Sequence, residues 1–490
     1  MIVKIKYILT IILVINITCA SGQNSQLMYF MNIPQNHLMN PALRPSNSVY
    51  VGLPALSGID LNSNNNFVNF SDIFIKGQPK DSIISILNPN YNVDKFLAKI
   101  KERNFMESES MVQLLGIGFS VGRDGYVFLD INERFDANMV IPGDLFKLAL
   151  KGNGAFVGST INLSSLRADM KYYREVGLGY SWNITDKLRV GVKGKLLYGI
   201  ASAAINNHSL GITVNNDYSH VFDANMDINI SGPVNVYMDS NHNIDSVAFD
   251  DNRFKTSSGI SDFISGKKNT GLGLDIGATY ELTDRINVSA AITDLGYIRW
   301  RKDVTSLSVD NQFVFNGLNM VDFFNGTKTL DEIGKNMIDS LKNAFVITKS
   351  KSAFTTFLPF GISLGGSYNV TSKITLGFLS YSRVISKQIR EAVTLSANVN
   401  LGNAFSASIG YTAANHQYDN LGAALAFRAG VAQFYLVSDR IPVQWDKIKN
   451  DNSTVPIPAN WNMFNLRLGM NLVFGNKVKE KKDKPMLLVE

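Results

Sequence analysis

The sequence predicts an all-β fold: a transmembrane antiparallel up-and-down β-barrel of about fourteen strands, with small helices in the external loops. Three observations carry this expectation. Segments of alternating apolar and polar residues recur along the whole chain. Their connections alternate between tight turns and long loops, as periplasmic turns and external loops do in a bacterial barrel. One hairpin unit is also written three times: Tyr180-Ser-Trp182-Asn-Ile184-Thr185-Asp-Lys187-Leu188, Tyr280-Glu-Leu282-Thr283-Asp-Arg285-Ile286 and Tyr368-Asn-Val370-Thr371-Ser-Lys373-Ile374.

Composition agrees. The 490 residues are 18% charged and 10% aromatic, with 38 glycines. Mean hydropathy is near zero, yet beyond the N-terminus no apolar run reaches the roughly 20 residues that a transmembrane helix needs. At the N-terminus, Lys4 and Lys6 precede the apolar run Tyr7–Ile17 and the small residues Ala20-Ser21-Gly22. Residues 1–22 therefore read as a secretory signal peptide cut before Gln23, and the expected location is the cell outer membrane. The single cysteine, Cys19, lies inside that signal, where Asn16-Ile17-Thr18 is a poor lipidation context. A mature chain without cysteine is held by its core or by its hydrogen-bond ladder, and a closed barrel supplies the ladder. The net charge of +6 is spread along the chain; its one cluster, Lys477–Lys484, reads as part of a solvated basic periplasmic tail over 476–490, not as a nucleic-acid site.

The fourteen expected strands begin near Ser48, Ser108, Asp124, Met170, Leu188, Gly271, Ile286, Thr356, Lys373, Glu391, Ala404, Asn420, Gly430 and Trp461, so that residues 48–475 form the barrel. In Leu272-Gly-Leu274-Asp-Ile276-Gly-Ala278-Thr-Tyr280 the even face is apolar and suits lipid. The odd face suits the lumen. Tyr180, Trp182, Tyr280 and Tyr368 stand at the periplasmic strand ends, where amphipathic rings favour the headgroup layer. Trp300 and Trp445 flank long loops and are candidates for the opposite girdle. The last strand, Met463–Phe474, alternates and ends in an aromatic, a form that resembles the signal read by barrel-assembly machinery.

The long loops carry helical spacing at Asn92–Arg103, at Pro142–Leu148 and after Thr329, where Glu332 completes a capping box. These helices either pack over the barrel mouth or meet a membrane surface or a partner. Asn206–Thr270 reads as strand extensions beyond the membrane.

Chemistry is sparse. The histidines His37, His208, His220, His242 and His416 show no metal spacing. His208-Ser209 is the one suggestive dipeptide for a hydrolase, and Asp217, Asp223 and Asp227 match no calcium cradle. Gly271-Leu-Gly273 sits in strand alternation with no helix behind it, so it is no phosphate loop. The expectation is no enzyme, no cofactor and no metal. Residues 23–47 differ from the rest: His37-Leu-Met-Asn40-Pro41-Ala42-Leu-Arg-Pro45 has two prolines, which bar it from a barrel strand, and is too apolar for a free tail. It is either a luminal plug or a lead-in lying on the periplasmic rim.

Asn40-Pro41-Ala42 ahead of the first strand resembles the Asn-Pro-Ala signature in the N-terminal hatch of FadL-like long-chain fatty acid transporters. The same triplet occurs in related Bacteroidota barrels such as the type IX secretion protein PorV. Across most of the mature chain the sequence is similar to a Bacteroidota outer-membrane family, a domain of unknown function. That family shares the Asn40-Pro-Ala start, a Val51-Gly-Leu-Pro54-like strand, the Gly271–Trp300 hairpin and the Phe474-Gly-Asn-Lys ending. The FadL resemblance implies fourteen strands and a hydrophobic ligand passing laterally into the membrane, although the glycine-rich hatch entry typical of those transporters is missing here. It makes Asn40, Pro41 and Ala42 the luminal plug and ligand-gating candidates. The expected partners are outer-membrane lipid and either a small hydrophobic compound or, for a structural barrel, a secretion or surface-assembly protein.

Overall fold

The computed structural model describes residues 26–69, 72, 74–76, 83–85, 91–239, 244–265, 268–315, 347–385, 388–402, 404–414, 417–441, 445–450, 453–458 and 462–475. The expected signal segment, the helix expected after Thr329, the expected basic tail, His242 and His416 lie outside them.

Fourteen antiparallel strands close into a transmembrane barrel. They are β1 (Val49–Gly52, continuing as Ile59–Asn65), β2 (Arg103–Val121), β3 (Gly125–Pro142), β4 (Arg167–Asn183) and β5 (Leu188–Val214). Then follow β6 (Thr270–Glu281), β7 (Ile286–Trp300), β8 (Phe354–Phe357, continuing as Phe360–Asn369), β9 (Ile374–Ile385) and β10 (Gln388–Leu401). The circuit ends with β11 (Phe405–Ala414), β12 (Gln417–Ala429), β13 (Ala432–Ser438) and β14 (Met463–Phe474). Each strand pairs with its neighbour in sequence. β14 closes on β1 through Val49↔Phe474 and Ile59↔Leu468. Closure matters because lipid offers no partner to a free N–H or C=O.

β1 stops at Gly52, short of the expected Pro54, because proline cannot donate to the ladder. Leu53–Gly58 loops out of the wall, and Ala55 takes φ +58° there. The ladder then resumes.

The three repeated turns are built alike. The hydroxyls of Thr185, Thr283 and Thr371 accept the amides of Leu188, Ile286 and Ile374, each at 3.0 Å. The carbonyls of Lys187, Arg285 and Lys373 accept the amides of Glu281, Asn369 and Asn400 from the following strand, at 2.8–2.9 Å. One rim of the barrel is thereby stitched by the same bond three times. The other tight turns on this rim use Gly122, Gly402 and Gly430 in the left-handed region, φ +59° to +62°, which costs glycine little.

The outer wall carries an apolar band. On β6, Leu272, Leu274, Ile276 and Tyr280 are exposed, while Asp275 and Gly277 face inward and are buried. Leu272 to Tyr280 is about the 9–11 residues that a tilted strand needs to cross a bilayer. Tyr180, Tyr280 and Tyr368 are exposed at one edge of the band. Trp300 is not part of the opposite girdle: its ring is fully buried beside Phe354, and its Nε1 donates to the Thr356 hydroxyl at 2.9 Å. The outward aromatics at that level are Tyr297 and Phe357, paired across β7 and β8.

Beyond the band the long strands continue outward. β5 has 27 residues, well over what a span uses. Its far half pairs with His220–Ser231, which pairs in turn with Val304–Phe315. This projecting sheet is the strand extension expected from Asn206 onward, and it includes His208-Ser209. The helix expected over Asn92–Arg103 is shorter, Val93–Leu97, because β2 already starts at Arg103. The helix at Pro142 runs from Gly143 to Lys151.

Ile276 sits at the centre of the lipid-facing band. Ile276→Arg is expected to lower folding stability in phospholipid vesicles by about 2–4 kcal/mol, the cost of a midplane cation. Urea titration of the refolded protein reads the difference; an unchanged midpoint would place this face away from lipid.

Candidate functional site

The lumen holds the residues with chemistry. Gln26–Asn47 runs inside the barrel as two short 3-10 turns, Gln26–Phe30 and Pro34–Leu38, followed by an irregular stretch. The wall makes room for it with glycine. A Cβ on Gly191 would collide with the Pro41 carbonyl, and one on Gly277 with the Asn40 side chain. Gly365, Gly377 and Gly410 leave the same space for Tyr29, Phe30 and Leu27. Luminal glycines thus mark where a second chain passes close to a strand.

Polar contacts hold the segment along its length. At its start the Asp439 carboxylate accepts the amides of Gln26 (2.6 Å) and Leu27 (2.9 Å). In its middle the Gln35 side-chain amide donates to Ser57 O, Gln113 and Asn471 at 2.7–3.1 Å, and the Asn471 side-chain amide donates back to Gln35 Oε1 at 2.9 Å. The ring nitrogens of His37 face the Pro34 carbonyl (2.6 Å) and the Asp130 carboxylate (2.7 Å). Asn40 caps its own turn by accepting the Ala42 amide at 2.8 Å, and its amide nitrogen reaches Ala278 O at 3.3 Å. Asn40 and Ala42 are fully buried, and Pro41 lies against Gly191 and Gly277.

The two sides of the lumen differ. Along β3 to β7 it is ionic. Lys193 bridges Asp130 (3.1 Å) and Glu175 (2.9 Å). Lys195 contacts Asp275 (2.7 Å) and Asp294 (2.5 Å), while Arg134 binds Asp294 through both terminal nitrogens at 2.8 and 3.2 Å and Glu175 at 3.0 Å. Buried charges of this kind are tolerable only when paired. Nearer the outer end, Arg383 and Arg390 of β9 and β10 reach Glu109 and Glu107 of β2 across the lumen. On the opposite side, Leu379, Tyr381, Ala424, Ala426, Tyr435 and Val437 form an apolar patch, covered by Leu27, Met28, Met31, Ile33 and Met39 of the N-terminal segment. The cavity left between these groups, lined by Met39, Asp136, Lys195 and Tyr381, is about 50 Å³. That is room for a water or two and not for an organic solute.

Sequence reasoning pointed at Asn40, Pro41 and Ala42 and missed the ionic network. One signal was available. On β7 the lipid face falls on even positions through Ile292 and on odd positions from Leu295. The register slips there, and Asp294 adopts φ +62°. This β-bulge swings the Asp294 carboxylate into the lumen. His208 touches Asp227 at 3.4 Å on the exposed sheet. Ser219 donates its hydroxyl (2.7 Å) and amide (3.0 Å) to Asp217, which holds that carboxyl below its usual range. No group of three or more metal-ligating side chains occurs among the described residues.

These features define a transmembrane barrel whose lumen is occupied by its own N-terminal segment. The chain belongs to the family of unknown function DUF5723, whose model matches residues 41–439. Similar solved structures include the Ralstonia pickettii toluene transporter TbuX, 10% identical, covering 91% of this chain and 95% of that one at a TM-score of 0.40. A Pseudomonas aeruginosa FadL homologue is 10% identical over 93% and 96%, TM-score 0.37. The translocator domain of the autotransporter NalP from Neisseria meningitidis is 6% identical over 92% and 97%, TM-score 0.33. No curated protein matches the sequence.

Two substitutions probe the site. Gly191→Val should displace the segment, so that Cys introduced by Ala42→Cys, buried and unreactive in the parent, labels with a water-soluble maleimide. Equal protection in both would mean that the wall does not set the path of the segment. Glu175→Ala leaves Lys193 and Arg134 each short of a carboxylate, and removing one partner of a buried pair costs on the order of 3–5 kcal/mol. Chemical denaturation in detergent measures it.

Proposed function

We propose that this protein is an outer-membrane barrel that binds or passes small hydrophobic compounds along the apolar side of its lumen, with the N-terminal segment as the plug. The observation that carries this reading is the two-sided lumen. A water-filled pore has a polar lining, whereas β9, β12 and β13 turn Leu379, Ala424, Ala426 and Val437 inward, where apolar side chains of the segment cover them. Those side chains occupy the track as an apolar ligand would. Burial of such surface returns roughly 25 cal/mol per Å², so a ligand of similar area competes for the track on comparable terms. Asn40, Pro41 and Ala42 are the gating residues in this proposal. They pack on Gly191 and Gly277 with the Asn40 side chain bonded to Ala42 N and Ala278 O, so they must leave these strands before the lumen opens.

A second reading has its own observation. Tyr237, Val247, Phe249 and Val314 are exposed on the outward projections of the chain, and such surface suits a protein partner in secretion or surface assembly.

Deletion of residues 26–47 separates the two. In proteoliposomes the deleted barrel should pass toluene or oleate faster than the intact chain, with heat-modifiable migration on SDS gels confirming that both are folded. Equal permeation by two folded barrels would refute the luminal reading. Stoichiometric co-purification of one protein, lost when the Val234–Phe249 hairpin is removed, would favour the partner.

A further inference from the structure

The structure has a second cavity, separate from the lumen. It is an open hollow of about 610 Å³ at the strand ends opposite the Thr turns, bordered by residues of the helices Val93–Leu97 and Gly143–Lys151. That is the size of a small-molecule site, for which roughly 300–1,000 Å³ is usual.

Its charges are unbalanced. Lys101, Arg103, Lys147 and Arg167 line it against two carboxylates, Glu102 and Asp144. Asp144 is already engaged by the Asn162 amide at 2.9 Å. Among the described residues none of the four cations has a carboxylate within salt-bridge distance. Lys147 rests its ammonium over the Phe156 ring at 4.4 Å, a contact that leaves its protons free to donate. Elsewhere the molecule pairs such groups: Lys99 with Asp72 and Lys151 with Asp94 lie on neighbouring turns. Four like charges around one hollow repel, and the field they make concentrates anions.

The rest of the lining narrows the chemistry. Ser165 adds a hydroxyl, that of Ser164 being bonded to the Leu210 backbone at 3.3 and 3.4 Å, and Leu97 and Ile100 add an apolar patch. A hydroxyl beside apolar carbon suits a sugar ring, and two arginine forks with two ammonium groups suit phosphate oxygens.

We propose that this cavity binds a saccharide carrying phosphate groups, whether free in solution or as the headgroup of a membrane glycolipid. The site is independent of the lumen: it needs no movement of the N-terminal segment, and it stands or falls apart from the channel reading.

The test is calorimetric titration of the detergent-purified full chain with deacylated lipopolysaccharide, the same saccharide after phosphatase treatment, and neutral maltohexaose. Binding is expected for the first probe alone, weakening as salt is raised, and at least tenfold weaker for the double variant R103Q/R167Q, with heat-modifiability confirming its fold. Vesicles containing intact lipopolysaccharide form a parallel arm. Variant-sensitive binding to vesicles but not to the soluble saccharide would support the site and assign it to a membrane glycolipid; binding to the soluble form supports it and assigns free saccharide as sufficient. Equal affinity for the phosphatase-treated probe, equal binding by R103Q/R167Q, or no binding in either arm would overturn the proposal. Toluene permeation of R103Q/R167Q should match the parent.

Discussion

Everything in this molecule depends on the closed ladder. A strand in lipid can satisfy its backbone only with another strand, so β14 must find β1 across more than four hundred residues. Once it does, the inner and outer faces of all fourteen strands are set together, because side chains alternate along each except where a bulge, as at Asp294, shifts the parity. The long β5 then has nowhere to send its surplus except outward, which is why the projecting sheet is continuous with the wall.

Closure also creates the central problem of the fold, a lumen that must be filled or hydrated. Here it is filled in two ways. On one side charged residues pair with one another across strands β3 to β7, and on the other an apolar patch is covered by the N-terminal segment. The glycines at Gly191 and Gly277 are what let the segment approach the wall. The ion pairs and the segment are coupled through His37 and Asp130, since Asp130 also serves Lys193. The N-terminal segment is therefore part of the core as well as an occupant of the pore.

Much of the wall was legible in the chain. All fourteen strands were located, the three Thr turns shared a rim, and the lipid face of β6 followed from parity alone. The misreadings have physical causes. Trp300 was a girdle candidate because it flanks a long loop, but the β7 bulge at Asp294 reverses parity just before it and turns its ring inward. The projecting sheet was half legible: Asn206–Thr270 read as strand extensions, but its partner, Val304–Phe315, lay beyond a long connection. The cross-lumen contacts of Arg383 and Arg390 were not legible at all, because nothing local in β9 or β10 announces a carboxylate on β2.

By itself the sequence determined the strand count, the turn chemistry and the two faces, since each rests on a period of two or on a bond spanning three residues. Only the tertiary structure decided the path of Asn40–Ala42, the pairing of the luminal charges and the basic outer cavity. Those depend on which strands face one another once the ladder closes. The reason is distance along the chain: local preference sets each strand, and closure sets its company.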